Sequence, residues 1–186
     1  MTEQQIEKLY ELMTKTTELA RENIRSLYLG SIGEDNIPFC FKYYRSSKNA
    51  SVRGDMVKFV IRYSRESELA RKLGIEALQD RSNKVRRNGC AVLAYSLRQD
   101  MIPYLEVLFE SNDELTREKA RSAVDAIHQG DIDYFVAPVY NRWTVSQDRV
   151  DMPTDDEIDF YVKKNMPSLV KPLEAILGTI YPAKIC

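Results

Sequence analysis

The chain is poor in the residues that build turns, crosslinks and catalytic relays. Seven glycines and seven prolines among 186 residues leave little material for a turn-rich β fold or for long disorder. Cys40, Cys90 and Cys186 are odd in number, lie far apart and form no C-x-x-C pair, which argues against a disulfide framework and against a zinc site. The single histidine, His128, has no serine or cysteine tied to it by local pattern, and nucleophilic catalysis needs an adjacent base. No apolar run approaches the roughly 18 residues of a membrane-spanning helix. The first residues, MTEQQIEKLYELM, are acidic and amphipathic, whereas a secretory signal starts basic and continues apolar. The expectation is a cytoplasmic protein. Phosphate-loop, dinucleotide-fingerprint, zinc-protease and nucleophile-elbow patterns are missing too, so neither a cofactor nor a metal is expected and no motif argues for an enzyme.

What is present is apolar and charged in globular proportion, 44% and 30% of residues, in a chain long enough for a single domain with a sizeable core. The net charge of -1 conceals an uneven distribution. Lys42–Arg98 holds 14 Lys/Arg against 5 Asp/Glu, residues 1–41 hold 4 against 7, and residues 99–186 hold 9 against 16. A basic middle is followed by an acidic end.

The most informative pattern is a unit that recurs at a shift of about 31 residues. It maps Val85 to Thr116, Arg86 to Arg117, Gly89 to Ala120, Leu93 to Val124, Asp100 to Asp131, Tyr104 to Phe135, Leu105 to Val136 and Leu108 to Val139. Val52-Arg53 precedes Val85-Arg86 as a more divergent copy. A period of this size signals stacked helix pairs. Helices are expected near Asp55–Ser64, Ser67–Leu78, Ser82–Leu97, Asp100–Glu110, Asp113–Ile127 and Asp131–Tyr140, with Ser or Asp caps at their starts. The loops between them are short, which sets neighbouring helices antiparallel.

The flanks read less evenly. Thr2–Leu29 has apolar residues at three- and four-residue steps and predicts one long amphipathic helix, ended by Gly30 and Gly33. Ile37-Pro38-Phe39 matches Ile102-Pro103-Tyr104, which favours a helix over Asp35–Tyr44, with proline tolerated in its first turn. Ser46–Gly54 reads as a polar loop, and so does Asn141–Pro153, which carries Trp143. Thr154 to Glu157 forms a capping box that opens a helix through about Asn165, and Met166–Ile180 supplies the last helical segment.

On Val85-Arg86, Gly89, Leu93, Asp100, Ile102 and Leu105, and on their counterparts one unit later, the chain resembles the HEAT-like repeat family. The resemblance covers about Val52–Asn141. It implies an all-α, right-handed α-α superhelix of about four helix pairs: a divergent N-terminal pair over residues 1–50, three clearer repeats over 51–142 and a C-terminal cap over 143–186. It also implies that the second helices line a concave binding face, and that Arg86 and Arg117 are signature arginines able to pair with an aspartate between units.

Function is less legible than architecture. Phe39, Tyr104 and Phe135 share one register position and could form an aromatic stripe, though such a stripe is more often core. Together with Arg71, Lys72 and Trp143 they are the candidate partner-binding residues, since large rigid side chains make good anchors. Lys84, Arg86 and Arg87 are the candidates for an anionic partner. Asp151, Asp155, Asp156, Glu157 and Asp159 cluster without calcium-loop spacing and suit a first helical turn. The expected function is non-catalytic binding of a protein, as an adaptor or an inhibitory, immunity-type partner. The alternative is nucleic-acid binding through the basic region, including a repair-type enzyme using Trp143 and Asp148. A small-molecule enzyme lacks any convergent polar set.

Overall fold

A computed structural model of the protein describes residues 1–135 and 155–178. Every regular element among them is helical. They gather into two compact units, one of residues 1–39 with 147–186 and one of residues 40–146.

The first unit contains α1 (Glu3–Thr14), α2 (Glu18–Ile24), α9 (Asp155–Asn165) and α10 (Val170–Leu177). The single helix expected over Thr2–Leu29 is broken at Thr16-Thr17, because threonine hydroxyls there compete with the helical ladder. Thr14 Oγ1 donates to the Glu11 carbonyl at 2.7 Å and Thr16 Oγ1 to that of Met13 at 3.0 Å, while Thr17 Oγ1 accepts from the Ala20 N–H at 3.3 Å and starts α2. A π turn over Arg25–Leu29 and a 3-10 stretch over Gly30–Asn36 follow. Gly33 breaks that stretch at φ +68°, where a side chain would be strained. α1 carries a full capping box between Thr2 and Gln5 and buries Ile6, Leu9, Tyr10 and Met13. It packs against α10, and Gln5 Nε2 donates to the Ile176 carbonyl at 3.4 Å. The two ends of the described chain therefore share a core, an arrangement that a linear stack of pairs does not by itself contain.

The boundary between the units falls inside α3 (Ile37–Ser46), which is helical as the repeat match predicts. In the second unit follow α4 (Ala50–Phe59), α5 (Glu68–Leu78), α6 (Asn83–Ser96), α7 (Ile102–Glu106) and α8 (Glu114–Gln129). Short 3-10 turns occupy Ile61–Tyr63, Gln99–Met101, Val107–Glu110 and Ile132–Tyr134. α6 lies against α4, α5 and α8, while α7 packs on α8 and touches α5. α4, α6 and α8 are thus neighbours in order.

Close approach of α5 and α6 depends on two glycines. A Cβ on Gly74 would lie 2.7 Å from Val92 Cγ1, and one on Gly89 would lie 2.9 Å from the Gly74 carbonyl oxygen. The polar loop expected over Ser46–Gly54 is shorter than predicted. Asn49, not Asp55, caps α4, its Oδ1 accepting from the Ser51 N–H at 2.9 Å. Gly54, read as loop, sits inside the helix, where the Asn88 amide donates to its carbonyl at 2.8 Å.

The remaining helical expectations hold over Ser67–Leu78, Ser82–Leu97 and Asp113–Ile127, while Asp100–Glu110 is split between 3-10 and α geometry. Trp143, Asp148, Asp151, Thr154, Cys186 and residues 136–140 of the helix expected over Asp131–Tyr140 lie outside the described residues, as do the side chains of Asp155, Asp156, Glu157 and Asp159.

Candidate interaction surface

One arginine position recurs through the chain and accounts for five of its 27 Lys and Arg residues. Arg21, Arg53, Arg71, Arg86 and Arg117 each stand four residues after a helix N-cap, those caps being Thr17, Asn49, Ser67, Ser82 and Asp113. Each guanidinium donates to carbonyls in the segment before its own helix. Arg21 reaches Thr16 (2.6 Å), Arg53 reaches Ser47 and Lys48 (3.2 and 3.0 Å), and Arg71 reaches Ser64 and Arg65 (2.8 and 2.9 Å). Arg86 reaches Asp80 (2.8 Å) and Arg117 reaches Ser111 (2.6 Å). These carbonyls belong to linkers that no helical ladder satisfies, and unpaired backbone groups are costly when buried.

Arg53 does more. Its Nε and a terminal nitrogen bond both oxygens of Asp80 at 2.7 and 2.8 Å, in a pair whose side chains are 7% and 5% exposed. Burial works against the Asp80 carboxylate, but hydrogen bonds from Arg53 and the Ser82 N–H, with the guanidinium charge, hold its pKa below the ordinary value. Burial, and then the negative charges of Asp80 and Glu76, push the neighbouring Tyr44 phenol above its usual range.

Other cations of the basic region are also engaged. Arg87 bonds Asp113 at 2.8 Å. Arg45 pairs with Glu76, Lys72 with Glu68 and Arg98 with Asp100. Arg65 donates to the Tyr95 carbonyl and Arg81 to that of Lys48, and Arg86 also bonds the Asn83 side chain. Of the anionic-partner candidates, Arg86 and Arg87 are held on α6 in these contacts, and Lys84 is exposed near its start.

The aromatic candidates part company. Phe39 is half-buried and stacks on Tyr10 in the first unit, with ring centroids 5.5 Å apart. Phe135 is buried in the second unit, edge-on to Tyr95 at 6.3 Å and with Lys119 Nζ 5.4 Å from its centroid. Burial depresses the pKa of that lysine. Tyr104 alone of the three is exposed, at 45%.

Tyr104 owes its exposure to the register of its own helix. Met101, Leu105 and Leu108 are buried, which fixes the inward face of α7 and the turn after it. Pro103, Tyr104, Glu106, Val107 and Glu110 are exposed on the other side. Val107, one turn from Tyr104, is 62% exposed. On α5 the inward face is Ala70, Leu73, Ala77 and Leu78, so Leu69 and Lys72 point outward while Arg71 is buried. Tyr134, on the 3-10 turn after α8, is 53% exposed. Among the described residues of the second unit, the exposed large apolar residues are Leu69 on α5, Tyr104 on α7, Val107 on the turn after it, Leu115 at the start of α8 and Tyr134 on the turn after α8. Val107 and Leu69 went unremarked in the sequence because repeat matching highlights shared positions, and these are not shared.

His128 is exposed in the last turn of α8. Cys40 and Cys90 are buried, and burial pushes the Cys90 thiol up to about 12, which leaves it inert near neutral pH. Among the described residues no group of three His, Cys, Asp or Glu side chains is placed to hold a metal ion, and no helix is long and apolar enough to cross a membrane.

No family model matches the chain, and neither does any curated protein or solved structure. The HEAT-like resemblance rests on the residues that carry it.

Proposed function

We propose that the protein is a non-catalytic binding module whose second unit is a HEAT-like stack of helix pairs. It docks a protein partner on the outward side of its second helices. The observation that carries this reading is the row Pro103, Tyr104 and Val107, exposed on α7 and the turn after it, whose opposite side buries Met101, Leu105 and Leu108. A tyrosine and aliphatic side chains held on rigid backbone are the composition of interface anchors. The nucleic-acid reading draws less support. Its arginines at positions 71, 86 and 87 bond linker carbonyls or Asp113, and a guanidinium so held has fewer donors left for phosphate.

The test compares partners retained by the wild-type protein and by Val107→Asp in its native extract. Val107 is exposed, so aspartate there leaves the core intact. Loss of a retained protein by about tenfold or more, the size expected at an interface hot spot, supports the reading. Unchanged retention of every partner refutes it. So does duplex DNA binding that weakens steeply with salt in the manner of phosphate contacts.

A further inference from the structure

The first unit contains a cleft of about 510 Å³, a size within the roughly 300–1,000 Å³ of small-molecule sites. One wall is the end of α1 and the start of α2. The other is the end of α9 with the 3-10 turn Pro167–Leu169 that follows it. Tyr161 on α9 donates its hydroxyl to Asn23 Oδ1 on α2 at 3.3 Å and ties the two walls together. The apolar part of the lining is Leu12, Leu19, Ala20, Met166 and Leu169. Met166 and Leu169 are buried, whereas Leu19 is 70% exposed. The chain break at Thr16-Thr17 takes Leu19 off the apolar stripe of α1 and leaves it on the cleft.

The polar part of the lining holds unspent donors. Thr16 and Asn165 use theirs on the carbonyls of Met13 and Tyr161. Asn23 accepts from Tyr161 through its amide oxygen, so its NH2 group remains to donate. Thr17 Oγ1 accepts from the Ala20 N–H, which leaves its hydroxyl hydrogen free. Ser168 is exposed. Lys15 is the charged residue of the lining and forms no ion pair among the described residues. Glu11 and Glu18, the acids nearest to it in sequence, are exposed and do not line the cleft, and Glu22 is bonded to Arg25 at 2.6 Å. Among the described residues, the lining therefore combines aliphatic surface, neutral donors and one ammonium group, with no carboxylate.

We infer that this cleft binds a small aliphatic carboxylate, its chain on Leu12, Leu19 and Met166 and its head group on Lys15 and the neutral donors. An ionised carboxylate only accepts hydrogen bonds, which matches a lining whose spare groups donate. Charge-assisted bonds are also stronger than neutral ones. A bare hydrocarbon would cover those donors without pairing them, at a cost in free energy. An amine would meet Lys15 as a like charge and find no acid in the lining. The site belongs to the first unit and does not depend on the docking reading.

The probes are octanoate and its neutral counterpart octanamide, titrated into the full-length protein with 13C-methyl methionine. Met166 reports on the cleft, its signal assigned by Met166→Leu, while Met56 and Met101 report on the second unit. Two variants alter exposed side chains and leave the core intact. Lys15→Gln removes the charge, and Leu19→Glu sets a like charge against the ligand. The expected result is a saturable shift of Met166 by octanoate with Met56 and Met101 unmoved. Octanamide, or octanoate on Lys15→Gln, should bind about fivefold more weakly, the upper end for a charge pair open to solvent. Leu19→Glu should abolish the shift.

Equal affinity for octanoate and octanamide, or unchanged affinity in Lys15→Gln, would overturn the assignment of a carboxylate ligand. Shifts spread evenly over Met166, Met56 and Met101, or surviving in Leu19→Glu, would mean unspecific adsorption and overturn the site itself. So would a Met166 signal that stays still up to about 10 mM octanoate, where any affinity is too weak to be specific.

Discussion

Removing the Arg53 side chain should damage the second unit far more than removing any exposed cation. Arg53 bonds both oxygens of Asp80 and the carbonyls of Ser47 and Lys48, and the ion pair is almost fully buried. Arg53→Ala leaves the Asp80 carboxylate without its counter-charge, although the Ser82 N–H still donates to it at 2.8 Å. Breaking one side of such a pair costs about 3–5 kcal/mol. With a urea m-value of about 2 kcal/mol/M for a small domain, 3 kcal/mol moves the midpoint by about 1.5 M. Arg45→Ala is the comparison. Arg45 also bonds a carboxylate, that of Glu76 at 2.7 Å, but its side chain is 63% exposed, so no resolvable midpoint shift is expected. Urea titrations followed by circular dichroism measure both. The wild-type advantage over Arg53→Ala should also depend on pH. Asp80 has its folded pKa lowered, so its contribution is present above the unfolded value of about 3.9 and is lost as pH falls through the folded one. Equal midpoints for the two variants at pH 7 would refute the argument that this pair and its linker contacts hold the second unit together.

Two further outcomes follow from packing and from burial. Gly89→Ala should lower stability by about 1–3 kcal/mol despite alanine's better helix propensity, because its Cβ would meet backbone of α5; Gly30→Ala, whose Cβ would lie no nearer than 3.7 Å to its neighbour, should be close to neutral, and thermal melts compare them. Lys119→Met should raise stability at neutral pH, because burial lowers the folded pKa of Lys119 and the folded state therefore binds its proton less tightly than the unfolded state does. The variant's advantage should shrink as pH rises toward the unfolded amine's pKa of about 10.4, which denaturation at pH 7 and pH 10 checks.

The repeat made the second unit readable. Val85, Leu93, Leu105 and Val124 recur at one shift and are all buried, and the helices around them lie where the shift places them. Expectations failed where a local polar bond overrode an apolar pattern. Leu19 continues the spacing of α1, yet it is 70% exposed, because three threonines had already redirected the backbone. Gly54 looked like a loop residue because composition cannot distinguish a glycine that permits a turn from one that permits a neighbouring side chain to reach its carbonyl. The docking face was half legible. Tyr104 was singled out by its register with Phe39 and Phe135, but shared register does not fix shared exposure, and the three rings have three different surroundings.

The recurrent arginine shows what a count of charges leaves out in this chain. Side chains on a helix lean toward its N-terminus, so a residue four positions after the cap is aimed at the linker before it. A long side chain with several donors in a planar fork suits that place, since it can bond two carbonyls while its stem covers apolar surface. An arginine in that role stands near the start of α2, α4, α5, α6 and α8, and a stretch of closely spaced helices built this way gains positive charge through its construction. Three of the 14 cations over Lys42–Arg98, namely Arg53, Arg71 and Arg86, are in the position described. Net charge from sequence counts such arginines as if they faced solvent. The charge a partner meets is instead set by what remains exposed on each helix.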